Sequence, residues 1–210
     1  MHRHSDWNHY EYTYGEGAQA RVDFDVMAAV VPGDDGANCL RVVVADDGID
    51  AVESLLASVD GRLVGTLRYA GQHEWVVWTD VRELSDELGR ALAAAGAKVA
   101  VLGGHDYAND RIFPTPADWR RIEDREALER LDLDGDGALR VLHRFVGPEA
   151  GLAAVAERLA PEAFTEVETG PERRVLAHEH PIGQISDITL GLMRLCEAHG
   201  VAYDGWVLPG

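Results

Sequence analysis

Twice along the chain the spacing of apolar residues changes in one order: alternation, a 3.6-residue period, alternation twice more, the helical period, and alternation again. That succession constrains the fold more than any single motif. In the first pass, residues 39–45 (CLRVVVA) form a β-branched run typical of a buried strand. Val52, Leu55, Leu56 and Val59 then fall at helical spacing over 49–59. Strands are predicted over 62–69 and 74–79, joined as a hairpin by Ala70-Gly71-Gln72-His73. Leu84, Leu88, Ala91, Leu92 and Ala95 share one face of a helix over 81–95, which Gly96 stops. A strand over 97–102 closes the set. The second pass reads as strand 138–146, helix 148–159, strands 163–169 and 173–180, helix 182–199 and strand 201–208. Ile185, Ile188, Leu192 and Leu195 mark the apolar face of that last helix. Each pass is β-α-β-β-α-β, the order of the split βαβ sandwich. The expected class is therefore α+β, with two tandem ferredoxin-like sandwiches joined by a helical linker.

The flanks complete this plan. Residues 7–14 (WNHYEYTY) alternate aromatic and polar side chains as a strand does, and a second strand is expected over 19–31. Pro32-Gly33-Asp34-Asp35-Gly36 is a loop by its turn chemistry. After a Gly-, Asp- and Pro-bearing connection, Thr115 is placed to cap a helix with Pro116 at its first position. This charge-dense helix runs to Arg130, with Trp119, Ile122, Leu128 and Leu131 as its stripe, and reads as a link. The expected division is 1–103, a linker over 104–137, and 138–210.

Charge narrows the function classes. The chain has 210 residues, with 37 Asp and Glu against 19 Lys and Arg, a net charge of −18. The excess is spread over both halves. Such a surface repels phosphate backbones, so direct binding of nucleic acid is not expected. It favours a protein partner with a basic surface. No apolar run is long enough to span a membrane, and Met1-His2-Arg3-His4-Ser5-Asp6 lacks the apolar stretch of a signal peptide, so a cytoplasmic location is expected. Cys39 and Cys196 leave one long-range disulfide open, but buried free thiols are the favoured reading.

Few motifs carry chemistry. Asp132, Asp134 and Asp136 with Gly137 match the opening of a calcium loop, but Arg140 and His143 stand where its later ligands belong. An Asp/Gly turn before a strand is the simpler reading. His178 and His180 share one strand face, and His143 lies on a strand expected beside it. Together they would make a zinc-like trio, or else histidines packed at a sheet surface. There is no nucleophile elbow and no phosphate loop. Neither cysteine stands in a thiol-nucleophile motif. No cofactor, metal or catalytic residue is therefore expected. Tyr203-Asp204-Gly205-Trp206 is more specific: Asp-Gly supplies a tight turn or bulge, flanked by two large aromatics. Those rings pin a terminal strand into the core or serve as contacts for a partner.

Two segments resemble a known family. Leu131–Gly137 followed by Arg140-Val141-Leu142-His143, and the ending His199-Gly200-Val201-Ala202-Tyr203-Asp204-Gly205-Trp206, look like the opening and closing signatures of the regulator of ribonuclease E activity B family. The resemblance covers about residues 131–210. Residues 6–115, with Trp7, Tyr10 and Tyr12, look like the domain of unknown function often found ahead of it. The resemblance implies a ferredoxin-like fold and a non-catalytic regulator that binds and inhibits a ribonuclease E-type enzyme or scaffold. It also makes Asp136, Arg140, His143, Tyr203, Asp204, Gly205 and Trp206 the candidate partner-binding residues. Two alternatives stand beside it: an immunity-type protein that neutralises a toxin nuclease, and a metal-dependent enzyme using His143, His178 and His180.

Overall fold

The structure, a computed structural model, describes residues 7–14, 18–30, 37–133 and 137–210. It is an α+β protein that divides into two compact units, 1–115 and 116–210. Among the described residues no helix is long and apolar enough to cross a membrane.

The first unit contains strands β1 (Trp7–Tyr14), β2 (Ala18–Asp25), β3 (Asn38–Ala45), β4 (Arg62–Tyr69), β5 (Gln72–Thr79) and β6 (Lys98–Gly103). Its helices are α1 (Val26–Val30), α2 (Ile49–Leu56), α3 (Asp86–Ala94) and α4 (Asp106–Arg111). The strands form one antiparallel sheet in the order β1-β2-β4-β5-β3-β6. Leu40, Val42, Leu63, Trp75 and Val77 from the sheet bury against Val52 and Leu56 of α2 and Leu92 of α3. Ala70 and Gly71 make a two-residue turn between β4 and β5, both at positive φ (46° and 70°), as a hairpin twist requires.

Three local features differ from the sequence expectation. The strand expected over 19–31 ends at Asp25, whose carboxylate accepts from the Met27 and Ala28 amides (2.9 and 3.2 Å) and starts α1. Helix α3 begins at Asp86 and not at Val81, because the Ser85 hydroxyl caps it by accepting from the Leu88 amide. The connection after β6 holds α4, tied down by a buried carboxylate. Glu74, fully buried on β5, accepts from Arg41 Nη2 (2.9 Å) and from the Tyr107 hydroxyl (2.5 Å).

The second unit contains α5 (Pro116–Arg130), β7 (Ala138–Val146), α6 (Glu149–Leu159), β8 (Thr165–Thr169), β9 (Arg173–Pro181), α7 (Ile185–Ala198) and β10 (Ala202–Val207). Its antiparallel sheet runs β10-β7-β9-β8. Phe145 and Leu176 pack with Leu152, Val155 and Leu159 of α6 and with Leu192 and Cys196 of α7. The helix expected as a linker belongs to this unit. It is held there because Asp124 on α5 is 1% exposed and bonded to α7 and β10. The division between the two compact units falls after Thr115, within the segment 104–137.

Candidate functional site

The side chains that the sequence singled out in the second unit meet on one face of its sheet. Val141, His143 and Phe145 alternate inward along β7, and Leu176, His178 and His180 do so along β9. These residues form a hydrogen-bonded chain. The Tyr203 hydroxyl lies 2.7 Å from His143 Nδ1, His143 Nε2 lies 2.7 Å from His180 Nε2, and His180 Nδ1 lies 2.9 Å from His178 Nδ1. Two concerted settings satisfy every link. In one the tyrosine donates inward and each imidazole N–H donates to the next ring; in the other all three bonds run in reverse. Either setting gives every nitrogen in the three links a donor or an acceptor to face.

Neutrality is what the surroundings impose. His143 and His180 are 0% and 1% exposed. Burial first, and the neighbouring imidazoles second, push His143 down to about 3 and His180 down to about 4. Burial pushes the Tyr203 phenol up. Phe164 stacks on His178 with ring centroids 4.4 Å apart. His178 and His180 also wall a cavity of about 560 Å³, floored by Leu159, Ile188 and Leu192. The Arg158–Glu162 ion pair (3.5 Å) stands at its edge.

The three histidines therefore do cluster, but not around one point. His180 turns Nε2 to His143 and Nδ1 to His178, so no single ion reaches all three rings. Among the described residues no three His, Cys, Asp or Glu side chains are arranged to hold a metal.

The closing motif is a brace. The register of β10 on β7 shifts between Tyr203 and Trp206, and Gly205 takes φ +84° in that bulge, beyond ordinary reach of a residue with a Cβ. A Cβ there would also stand 3.2 Å from Arg120 Nη1. Trp206 Nε1 donates to Asp124 Oδ1 (2.8 Å), and Thr189 Oγ1 donates to Asp124 Oδ2 (2.5 Å). Burial pushes the Asp124 carboxyl up, and these two bonds oppose that shift. One carboxylate thus ties α5, α7 and β10 together. The Arg120 guanidinium lies over the Tyr203 ring at 5.4 Å. Asp204 is exposed, and its carbonyl accepts from Arg144 Nη2 (2.8 Å).

Among the other candidates, Arg140 is exposed on β7 and points away from the inward-facing Val141 and His143. Asp136, with Asp134 and Gly135, lies outside the described residues, so the calcium-like loop is not placed. Sequence reasoning missed Asp124 and Phe164. Nothing distinguishes Asp124 within the charged run of α5, and only its acceptor role toward a tryptophan N–H from the far end of the chain identifies it. Both cysteines are free and buried; burial pushes Cys39 up to about 11 and Cys196 up to about 12.

No protein-family model and no curated protein matches the chain.

Proposed function

We propose that the protein is a non-catalytic, cytoplasmic regulator that binds a partner through complementary charge, with a ribonuclease E-type RNA-degradation enzyme or scaffold as the leading candidate. One observation carries the reading: a set of exposed carboxylates has no ion-pair partner among the described residues. In the second unit, Glu149, Glu157, Glu172, Glu179, Asp187 and Glu197 are all exposed and make no ion pair among the described residues. Such a surface accelerates encounter with a basic partner and selects against nucleic acid.

The groups brought together inside support a regulator more than a catalyst. His143 and His180 are held neutral, and the thiols are held as poor nucleophiles. The family resemblance of residues 131–210 supports the choice of a ribonuclease. We further propose that both units are ferredoxin-like. Numbered within its own β-α-β-β-α-β set, each sheet carries the antiparallel order 4-1-3-2, with β1 and β2 added at one side in the first unit.

The test is binding of the purified full chain to a ribonuclease E-type enzyme, with RNA cleavage followed alongside. Association is expected to slow steeply as salt screens the carboxylates, since the screening length is about 8 Å at physiological ionic strength. Cleavage is expected to fall as the complex forms. No binding at low salt and micromolar concentration defeats the reading. Binding to a toxin nuclease instead assigns the immunity-type role.

A further inference from the structure

The 560 Å³ cavity beside His178 has room for a small molecule, and two features of its wall say which kind. The first is a glycine. Leu159 on α6 and Ile188, Leu192 and Leu195 on α7 make the lining largely apolar, and Gly191, halfway along α7, lines it with them. A glycine in a helix interior weakens the helix relative to alanine. The fold does not require one here. Gly191 has no positive φ, and a Cβ built on it would meet no atom within 4 Å. Residue 191 is three after Ile188 and four before Leu195, so its side chain would stand between those two on the cavity face of the helix. The missing side chain keeps that space open.

The second feature is the outer end of the histidine file. His178 Nδ1 is bonded to His180, but His178 Nε2 has no hydrogen-bond partner among the described residues. That nitrogen is accessible, on a half-buried ring that walls the cavity and stacks on Phe164. Its hydrogen is decided at the far end of the file. Among the described residues the Tyr203 hydroxyl has one partner, His143 Nδ1. With the tyrosine donating, His143 donates from Nε2 and His180 from Nδ1, which leaves the hydrogen of His178 on Nε2. The reverse setting leaves the tyrosine proton without a protein acceptor, so the first is favoured. His178 therefore presents a single N–H donor at the edge of an apolar space. Ions do not suit it. Among the described residues Arg158 is the only Lys or Arg in the wall, and it is 64% exposed and paired with Glu162. Glu179 in the same wall repels an anion, and a cation would meet an N–H of the wrong sign.

We propose that this cavity binds a small uncharged molecule with an apolar body and a carbonyl oxygen, the body lying in the space that Gly191 leaves open and the oxygen accepting from His178 Nε2. Such a ligand is distinct from the basic partner of the carboxylate surface. The experiment titrates the full chain with ring and chain ketones, acetophenone and 2-heptanone, following the His178 ring and the Ile188 and Leu192 methyl signals by NMR. Ethylbenzene is the matched molecule without an acceptor, and benzoate and benzylamine are the matched ions. At least one ketone is expected to bind at millimolar concentration or below, with the three controls weaker by about fivefold or more. Gly191→Leu fills the space and improves the helix, so it should weaken ketone binding by about tenfold or more without lowering Tm. His178→Phe keeps the stack on Phe164 and removes the donor, and should bring ketone affinity down to that of ethylbenzene. If His178→Phe does not fold, the comparison of acetophenone with ethylbenzene on the unaltered chain decides the role of the donor. The proposal is overturned if neither ketone binds at millimolar concentration, if ethylbenzene or either ion binds as tightly as the ketone, or if ketone affinity survives Gly191→Leu.

Discussion

Acidification should unfold the second unit through its histidine chain. In the folded state His143 and His180 take up protons only at about 3 and about 4. In the unfolded chain both titrate near the ordinary value of about 6.5. Below that pH the unfolded state binds more protons than the folded one, so stability contributed by the neutral rings is complete above about 6.5 and is lost as pH falls toward 4. Each pH unit removes roughly 1.4 kcal/mol per imidazole, so at pH 5 the loss is on the order of 2 kcal/mol for each ring. Two rings together approach 4 kcal/mol, a large share of the roughly 5–15 kcal/mol that holds a typical domain. Relief of self-repulsion in a chain of net charge −18 acts in the opposite direction as carboxylates protonate, so the local measurement decides. Imidazole ¹⁵N spectra between pH 7.5 and 4.5 should show His143 and His180 neutral down to pH 5. Amide signals of residues 116–210 should collapse at lower urea concentration as pH falls from 7 to 5. A His143 or His180 ring that gains its proton near pH 6.5 in the folded protein refutes the argument.

Three further outcomes follow from the geometry. Asp124→Ala strands the half-buried Trp206 N–H, while Thr189 keeps the Ser186 carbonyl; a loss of about 1–3 kcal/mol in urea unfolding is expected, and a neutral result would mean that the brace is not loaded. Ala70 holds φ +46° in the β4–β5 turn, where asparagine is tolerated better, so Ala70→Asn should raise stability by about 0.5–1 kcal/mol; Gly71→Ala at φ +70° should lower it, and thermal melts of the pair check the sign. Fragments 1–115 and 116–210 should each give dispersed amide spectra, because each has its own sheet and core; a disordered 116–210 fragment would show that α5 and its brace do not suffice.

The element order was legible because burial writes a period into the sequence. Strands β3, β5 and β7 carry β-branched or aromatic side chains, and α7 carries an apolar stripe that matches its buried face. The errors fall where a single polar side chain outranks periodicity. Asp25 ends β2 by capping α1, and Ser85 delays the start of α3, each with one oxygen. Helix α5 misled for a similar reason. Its surface is charged nearly all round, so it reads as a solvated link, yet Asp118, Ile122 and Asp124 are buried on it. A buried carboxylate is indistinguishable from an exposed one in sequence, because its partners Thr189 and Trp206 lie 65 and 82 residues away.

The same limit separates the legible part of the site from the rest. Gly205 could be read as a bulge from its dipeptide, because an αL backbone is a local demand that glycine meets. The alternation of His178 and His180 could be read from strand geometry, and the approach of His143 from the expected strand order. What sequence could not decide was which ring nitrogens face one another. That detail changes the chemistry: three nitrogens converging on a point would take a metal, whereas three rings in file spend their nitrogens on one another. Rings in file place one end at the half-buried Tyr203 and the other, at His178, beside the 560 Å³ cavity. The file serves packing, by giving the buried nitrogens of His143 and His180 partners. With those nitrogens spent on one another, a partner of the kind proposed would meet the exposed carboxylates of the second unit, among them Glu149, Glu157 and Glu197, and not the histidines.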